Sequence, residues 1–371
     1  MRNKGLILQT SCLAQLALAL TLVLALLPCC LRGGADWFVT KGPDGAINLA
    51  VGATADLTEP VTEFRLEDYY DPVGEILPDD EDPRTFMTSM EFFHADDETV
   101  LVQSRDRVVR LSLKDGSFVC EYGRKGRGPG EYTQPLLCFV QDGEVYVNDI
   151  MSRCHVYALE DGRLLREFPL FEKNSQFSIY APLDKDHGVI CYSSLTGQDH
   201  LFDVVDASRQ VVRAGTLPMA KVEDGGIQVG FARRMDGKLC VPDDGPNMVL
   251  HQVAIGKDAP WVRLDKGSYT PYSSTSDHWL IEDQWMSFGP FFYVTLRRKG
   301  GLSAIAVYDL KRRALALYKA AVDAESYRTR GLPYTRDGQT LYLIPDFGDR
   351  EVLVCHDLAA PDNHYCFRLK K

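Results

Sequence analysis

The feature that most constrains the fold is a repeated pattern of short strands separated by polar turns. Three segments contain an apolar strand, a polar loop with Asp and Arg, and a second strand of alternating polarity: 99–113, 144–159 and 340–358. Two of them continue through a tight turn, Asp115-Gly116 or Asp161-Gly162, into a third strand. An Asp-Gly pair predicts a β-hairpin, because glycine tolerates positive φ.

The same unit can be placed along the chain with a period of about 45 residues, which four short strands and their turns require. The predicted repeats are 86–122, 135–170, 176–217, 226–265, 278–320 and 331–371. One such sheet cannot bury both of its faces, whereas a ring of sheets can. The sequence therefore predicts an all-β fold in residues 86–371, a six-bladed β-propeller of four-stranded antiparallel blades.

Residues 36–85 form a separate, turn-rich N-terminal segment. Its one clear alternating stretch is Val61 to Leu66. A ring of sheets needs a fastening that joins its two ends, so we expect this stretch to pair as a strand with the last blade.

The first 35 residues are predicted to be a signal peptide. Arg2 and Lys4 precede an apolar run from Leu16 to Leu27, which is too short to span a bilayer. Two processing routes stay open: lipoprotein cleavage, and ordinary cleavage after Ala35. The lipidation candidates of the first route are Cys29 and Cys30. Both routes predict an exported protein of the cell envelope, in the periplasm or as an outer-membrane lipoprotein, with a lipid anchor as its only membrane contact.

The remaining cysteines have no zinc-binding pattern. Ten cysteines are present, and those after residue 35 lie in apolar, strand-like runs, where cysteine behaves as a small buried hydrophobe. The one predicted disulfide joins Cys355 and Cys366, which flank a predicted hairpin turn.

Charge and motifs exclude several functions. The formal net charge of −11 makes nucleic acid an unexpected partner. The sequence contains neither H-E-x-x-H nor G-x-S-x-G, so no catalytic residue is predicted. It also lacks the calcium-loop pattern D-x-D-x-D-G, so no metal ligand is predicted. No cofactor is predicted, and Ca²⁺ held by acids in a propeller channel is the one that stays open.

A glycine-rich basic loop spans Gly123 to Tyr132. One interpretation is anion binding by its backbone N–H groups, with Arg124, Lys125 and Arg127 adding positive charge. The favoured alternative is a structural crossover between blades, because a strand rather than a helix follows.

Loops with Asp and Arg supply the other candidate binding residues. They face a ligand in one interpretation and brace their own hairpins in the other. The candidates for binding a ligand or partner are Arg105, Arg124, Arg127, Asp149, Arg153, Asp346 and Arg350.

Two of these motifs carry a resemblance. The glycine-rich loop followed by Gln134-Pro135, and the Asp149-x-x-x-Arg153 loop after Val145 to Val147, resemble NHL repeats. Together they are similar to the NHL-like and TolB-like six-bladed propellers of the Bacteroidetes-type cell envelope. The resemblance implies fold and envelope location. It implies no single reaction, because members of such families have different functions.

Three functions stay open. The first is a non-catalytic propeller that binds a protein, peptide or glycan through its loop face. The alternative is a divalent-metal-dependent hydrolase or lactonase with a site in the central channel, which requires acids from several blades to converge. The third is a purely structural role.

Overall fold

The computed structural model describes the chain in seventeen segments: 39–50, 69–76, 82–85, 91–96, 98–170, 177–192, 200–217, 232–235, 238–243, 249–265, 280–288, 290–297, 303–319, 333–336, 339–343, 352–357 and 364–369. Every regular element in them is a β-strand. A search of these segments finds no helix with the length and apolarity needed to cross a bilayer. The predicted signal peptide, with Cys29 and Cys30, and the predicted strand at 61–66 lie outside the described residues.

The strands are grouped into sheets that follow chain order. The N-terminal segment contains β1 (Val39–Lys41), β2 (Ile47–Leu49) and β3 (Tyr70–Ile76). Sheet 1 contains β4 (Glu91–Ala95), β5 (Thr99–Gln103), β6 (Val108–Ser112) and β7 (Phe118–Glu121). A small parallel pair follows, β8 (Arg124–Lys125) and β9 (Glu131–Tyr132). Sheet 2 contains β10 (Pro135–Gln141), β11 (Glu144–Asp149), β12 (Arg153–Ala158) and β13 (Leu164–Pro169). Sheet 3 contains β14 (Ser178–Pro182), β15 (His187–Tyr192), β16 (His200–Asp206) and β17 (Val211–Leu217).

The later sheets repeat this arrangement. Sheet 4 contains β18 (Arg233–Met235), β19 (Lys238–Asp243), β20 (Val249–Gln252) and β21 (Ala259–Leu264). Sheet 5 contains β22 (Leu280–Phe288), β23 (Phe291–Arg297), β24 (Ser303–Asp309) and β25 (Ala314–Lys319). Sheet 6 contains β26 (Pro333–Arg336), β27 (Gln339–Leu343), β28 (Val352–Asp357) and β29 (His364–Leu369). In each sheet the four strands are antiparallel neighbours in sequence order.

The predicted Asp-Gly hairpins are present, and one shows why glycine is needed. Gly162 lies in the turn between β12 and β13 with φ of 72°. A Cβ there would lie 2.4 Å from the carbonyl oxygen of Glu121 in sheet 1. The turn of one sheet therefore packs against the last strand of the preceding sheet at a distance that only glycine permits.

Apolar side chains join sheets 1 to 5 in succession. One buried cluster spans sheets 1 and 2, a second spans sheets 2 to 4, and a third spans sheets 4 and 5. The first strands of sheets 1, 2 and 3 lie next to one another. Sheets that pack face to face around their first strands form a β-propeller, so the all-β propeller fold is confirmed.

Side-chain amides near the C-terminal ends of the second strands connect successive sheets. The Gln103 side-chain amide donates to the carbonyl oxygens of Pro135 and Leu136 at 3.2 and 3.1 Å. At the equivalent position in sheet 2, the Asn148 amide donates to the Tyr180 carbonyl at 2.9 Å and accepts from the Tyr180 N–H at 2.7 Å. Each bridge satisfies buried polar groups while fixing the register of neighbouring sheets.

The N-terminal segment covers the outer edges of two sheets. β2 pairs in parallel with β21 of sheet 4, and β3 pairs antiparallel with β29 of sheet 6. Arg263 in β21 donates to Asn48 at 2.6 Å and to Asp44 at 2.7 Å, which secures the first contact. The strand that pairs with sheet 6 is thus Tyr70–Ile76, a few residues beyond the range that alternation predicted.

The grouping of the strands bears on the number of blades. The strands of sheets 1 to 6 fall within the six predicted repeats. Side chains are described in five of these sheets, whereas sheet 6 is described by its backbone pairing alone. The propeller is confirmed at the level of five packed sheets, and the count of six stays a prediction.

Backbone register also bears on the predicted disulfide. Cys355 lies opposite Tyr365, and Cys366 lies opposite Val354. Directly opposed residues share a face of a sheet, and successive residues alternate between faces. The two cysteines are therefore one residue out of step, and their disulfide stays a prediction that the register does not favour.

Candidate partner-binding face

The two ends of the sheets carry different kinds of connection. The crossover face is defined here by segments 104–107, 122–134 and 150–153. They lie at one end because Glu121 pairs with Val109, and Pro135 pairs with Asp149. The turn face, at the other end, consists of the tight turns 113–117, 142–143, 159–163, 183–186 and 207–210. Antiparallel strands reverse direction at each connection, so sequence order alone separates the two faces.

The glycine-rich loop binds a carboxylate of its own chain. The Oε2 atom of Glu131 accepts from the backbone N–H groups of Gly128 at 2.8 Å and Arg127 at 3.0 Å. Its Oε1 atom accepts from Nε of Arg124 at 2.7 Å. These hydrogen bonds, led by that from Gly128, hold the pKa of Glu131 below its usual value. The amides that a phosphate would require are already engaged, which supports the crossover interpretation.

Asp149 braces the crossover. Its carboxylate is buried and accepts from the backbone N–H groups of Thr133 at 3.1 Å and Gln134 at 3.0 Å. The bracing role that the sequence left open for Asp149 therefore fits its surroundings, and its oxygens are turned to the protein rather than to solvent.

The arginines of the two described hairpins have partners that sequence reasoning missed. Arg107 pairs with Glu121 at 3.0 Å, and Arg153 pairs with Glu167 at 3.2 Å. Both pairs join the start of the third strand to the end of the fourth. Each arginine thus pairs with an acid of the fourth strand, whereas the aspartate of its own loop accepts from backbone or hydroxyl groups nearby. Asp106, for example, accepts from the Ser104 hydroxyl at 3.1 Å.

A buried histidine lies beneath the crossover, next to the carboxylate of Glu167. His155 is fully buried, and its Nδ1 lies 3.2 Å from Oε2 of Glu167. The same carboxylate accepts from the Gly130 N–H at 3.0 Å, and the Tyr157 hydroxyl donates to the Gly130 carbonyl at 3.1 Å. Burial lowers the pKa of His155. The one sequence signal for His155 and Tyr157 is the alternation of β12, which places both on the same face of the strand.

Above this braced loop lies an exposed surface, named here the basic–apolar patch. Its members are the exposed basic and apolar side chains of the crossover face: Arg105, Arg124, Lys125, Arg127, Ile150, Met151 and Arg153. Met151 is 67% exposed and Ile150 is 37% exposed. Within the described part of the chain, the side chains of Arg105, Lys125 and Arg127 form no ion pair. The sequence predicted four of the five cations as binding residues and named Lys125 for the anion-binding interpretation of the loop, whereas it missed both apolar residues.

The remaining candidates carry no site in the described residues. Asp346 and Arg350 lie outside them, so their role stays a prediction. No group of three or more His, Cys, Asp or Glu that could hold a metal ion occurs in the segments that the structure covers. Five cysteines of sheets 1 to 4 are free thiols: Cys120, which is partly exposed, and the buried Cys138, Cys154, Cys191 and Cys240. Burial raises the pKa of Cys191 to about 12.

Comparison with known proteins gives no family. No protein-family model matches the chain, and no curated protein matches it. Among solved structures, the Cps50 (Swd1) β-propeller domain of Myceliophteria thermophila matches with 9% identity and a TM-score of 0.39, over 75% of this chain and 82% of that one. BamB from Moraxella catarrhalis matches with 10% identity and a TM-score of 0.37, over 75% and 84%. The propeller assignment rests on this chain's own strand pairing.

Proposed function

We propose that this chain is an exported, non-catalytic β-propeller that binds a protein or peptide through its crossover face. The observation that carries the proposal is the basic–apolar patch, in which Met151 and Ile150 are exposed on the same face as four exposed arginines. Met and Arg are enriched in protein–protein interfaces. A glycan would require exposed aromatic rings for stacking, and both tyrosines of this face, Tyr122 and Tyr132, are buried.

The patch is suited to binding because its backbone is already ordered. Glu131, Asp149 and Glu167 each fix the crossover by accepting from its backbone N–H groups. A surface that is rigid before binding loses less conformational entropy when a partner arrives. The side chains that do this bracing are distinct from the exposed ones, so the patch can contact a partner while the loop keeps its shape.

The location and ring size belong to the same proposal. The N-terminal signal pattern supports an envelope protein. A closed ring of six blades is supported by β28 of sheet 6, which lies beside β4 of sheet 1. It is also supported by Tyr69, whose hydroxyl hydrogen-bonds that of Tyr318 in sheet 5 just before β3 joins sheet 6. An experimental structure with another number of blades would overturn the six-bladed ring and leave the patch unaffected.

Site-specific photo-crosslinking tests the binding face. A photoreactive amino acid replaces Met151 in the full chain, in cells that produce it. A matched variant carries it at Glu160, an exposed turn residue at the opposite end of the same sheet. We expect a discrete protein adduct from position 151 and none from position 160. Equal labelling from both positions, or none from 151, would contradict the proposal.

A further inference from the structure

We infer that the partner presents an extended acidic segment containing an apolar residue, an inference that rests on the proposed function. The first support is the charge left over after internal pairing. Arg107 and Arg153 are paired with Glu121 and Glu167, and Arg124 is paired with Glu131. The cations of Arg105, Lys125 and Arg127 are exposed without an ion pair in the described residues. Against these three, the crossover face exposes one acid, Asp106, so it keeps an excess of positive charge.

The second support is the contrast with the rest of the molecule. The chain as a whole has a net charge of −11. The turn face exposes a series of acids: Asp115, Asp142, Glu160, Asp161, Asp184 and Asp186. An acidic segment is repelled from that end of the sheets and attracted to the other. The electrostatic field of the protein therefore directs such a partner to the crossover face.

The third support is the type of anion that the loop can still accept. A compact phosphate is held by convergent backbone N–H groups, and here those of Arg127 and Gly128 are engaged by Glu131. What remains is a set of separate side-chain cations on two segments of the face. Separate cations match carboxylates spaced along a polypeptide, and Arg124 already shows this recognition by binding a carboxylate at 2.7 Å. Met151 and Ile150 then contact an apolar side chain between the acids.

A labelled peptide, Glu-Asp-Glu-Leu-Glu-Asp-Glu, tests the inference by fluorescence anisotropy. Control peptides replace the acids with Ser or Lys, or the central Leu with Ser. The protein variants are a crossover triple, Arg105→Glu, Lys125→Glu and Arg127→Glu, and a turn-face triple, Lys114→Glu, Arg163→Glu and Lys185→Glu. Both change the net charge equally. We expect the crossover triple to weaken binding about tenfold and the turn-face triple less than about twofold.

Further arms distinguish the class of anion and the apolar contact. We expect Met151→Ser to weaken binding of the Leu peptide and to leave its Ser counterpart unchanged. Equal weakening by the two triples would overturn the inference, as would tighter binding of an oligo-dT strand or of phosphatidylglycerol vesicles. If the adduct at position 151 forms but no acidic peptide binds, the acidic partner is wrong and the proposed function stands. If both fail, the proposed function falls as well.

Discussion

The turn face and the crossover face belong to the same sheets but use their charges in opposite ways. On the turn face, aspartates accept from the backbone of their own turns. Asp115 accepts from Ser117 N–H at 3.1 Å, Asp161 from Arg163 at 3.0 Å, and Asp184 from Asp186 at 2.8 Å. On the crossover face, the acids likewise fix backbone, but over longer distances in sequence. In both regions the acids stabilise the fold. Among the described residues, the crossover face in addition exposes three cations that form no ion pair, Arg105, Lys125 and Arg127.

The largest effect is expected when the hydrogen bonds between Asp149 and the crossover backbone are removed. Asp149→Ala leaves the Thr133 and Gln134 N–H groups without their acceptor, and charge-assisted hydrogen bonds of this kind contribute about 2–3 kcal/mol to the free energy of unfolding. Asp115→Ala on the turn face, where water replaces the lost carboxylate, is expected to cost much less. Urea denaturation of both variants measures the difference. Equal losses would mean that the two faces are braced alike.

The second prediction uses glycines with similar φ in two turns of sheet 2. Gly162→Ala places a Cβ against Glu121 and is expected to cost about 2 kcal/mol or more, because both backbone strain and a steric clash oppose it. Gly143 has φ of 76° but open space around its Cβ position, so Gly143→Ala is expected to cost about 1 kcal/mol from strain alone. Thermal unfolding midpoints rank the two. A ranking in the other order would show that sheets 1 and 2 do not pack at Gly162.

The third prediction concerns acid. The pKa of Glu131 lies below the ordinary value of 4.5, so its stabilisation is present above that pH and is lost as the pH falls through the lowered pKa. We expect the amide resonances of Arg127 and Gly128 to shift in that acidic range in NMR spectra. In the Glu131→Gln variant they are expected to stay constant. A shift centred at or above pH 4.5 would contradict the hydrogen-bonded carboxylate.

The smallest expected effect tests whether the repeat carries an equivalent ion pair in each sheet. Arg107→Gln and Arg153→Gln are each expected to cost less than about 1 kcal/mol, because partly exposed pairs contribute little. Double-mutant cycles with Glu121→Gln and Glu167→Gln give the coupling within each pair. Coupling in sheet 1 without coupling in sheet 2 would show that ion pairs at equivalent positions of the two sheets contribute differently to the free energy of unfolding.

Local sequence signals predicted the parts of the fold that depend on neighbours in the chain. The Asp-Gly pairs located hairpins because the conformation is decided within the turn itself. The same reasoning missed the partner of Arg153, because Glu167 lies on another strand and no local pattern links the two. It also missed β3, since a strand such as Tyr70–Ile76 that contains Pro72 and Gly74 shows little alternation. Its pairing with β29 decides its conformation.

The candidate site shows the same division. Composition and charge pointed to Arg105, Arg124 and Arg127, because isolated cations in polar loops are visible in a sequence. Exposure of Met151 and Ile150 was not visible, since apolar residues beside a strand normally extend it inward. Both residues belong to the turn between β11 and β12, in which Ser152 has a positive φ of 52°, and not to either strand.

The placement of β2 and β3 has a consequence for biosynthesis. Residues 47–49 and 70–76 are made early, yet the strands that receive them, β21 and β29, are made more than 200 and almost 300 residues later. Until then β2 can pair only with β1, its neighbour in the local hairpin, and β3 lacks the strand that receives it. Closing so long a loop is slow. The N-terminal strands therefore dock on sheets 4 and 6 as one of the last steps of folding.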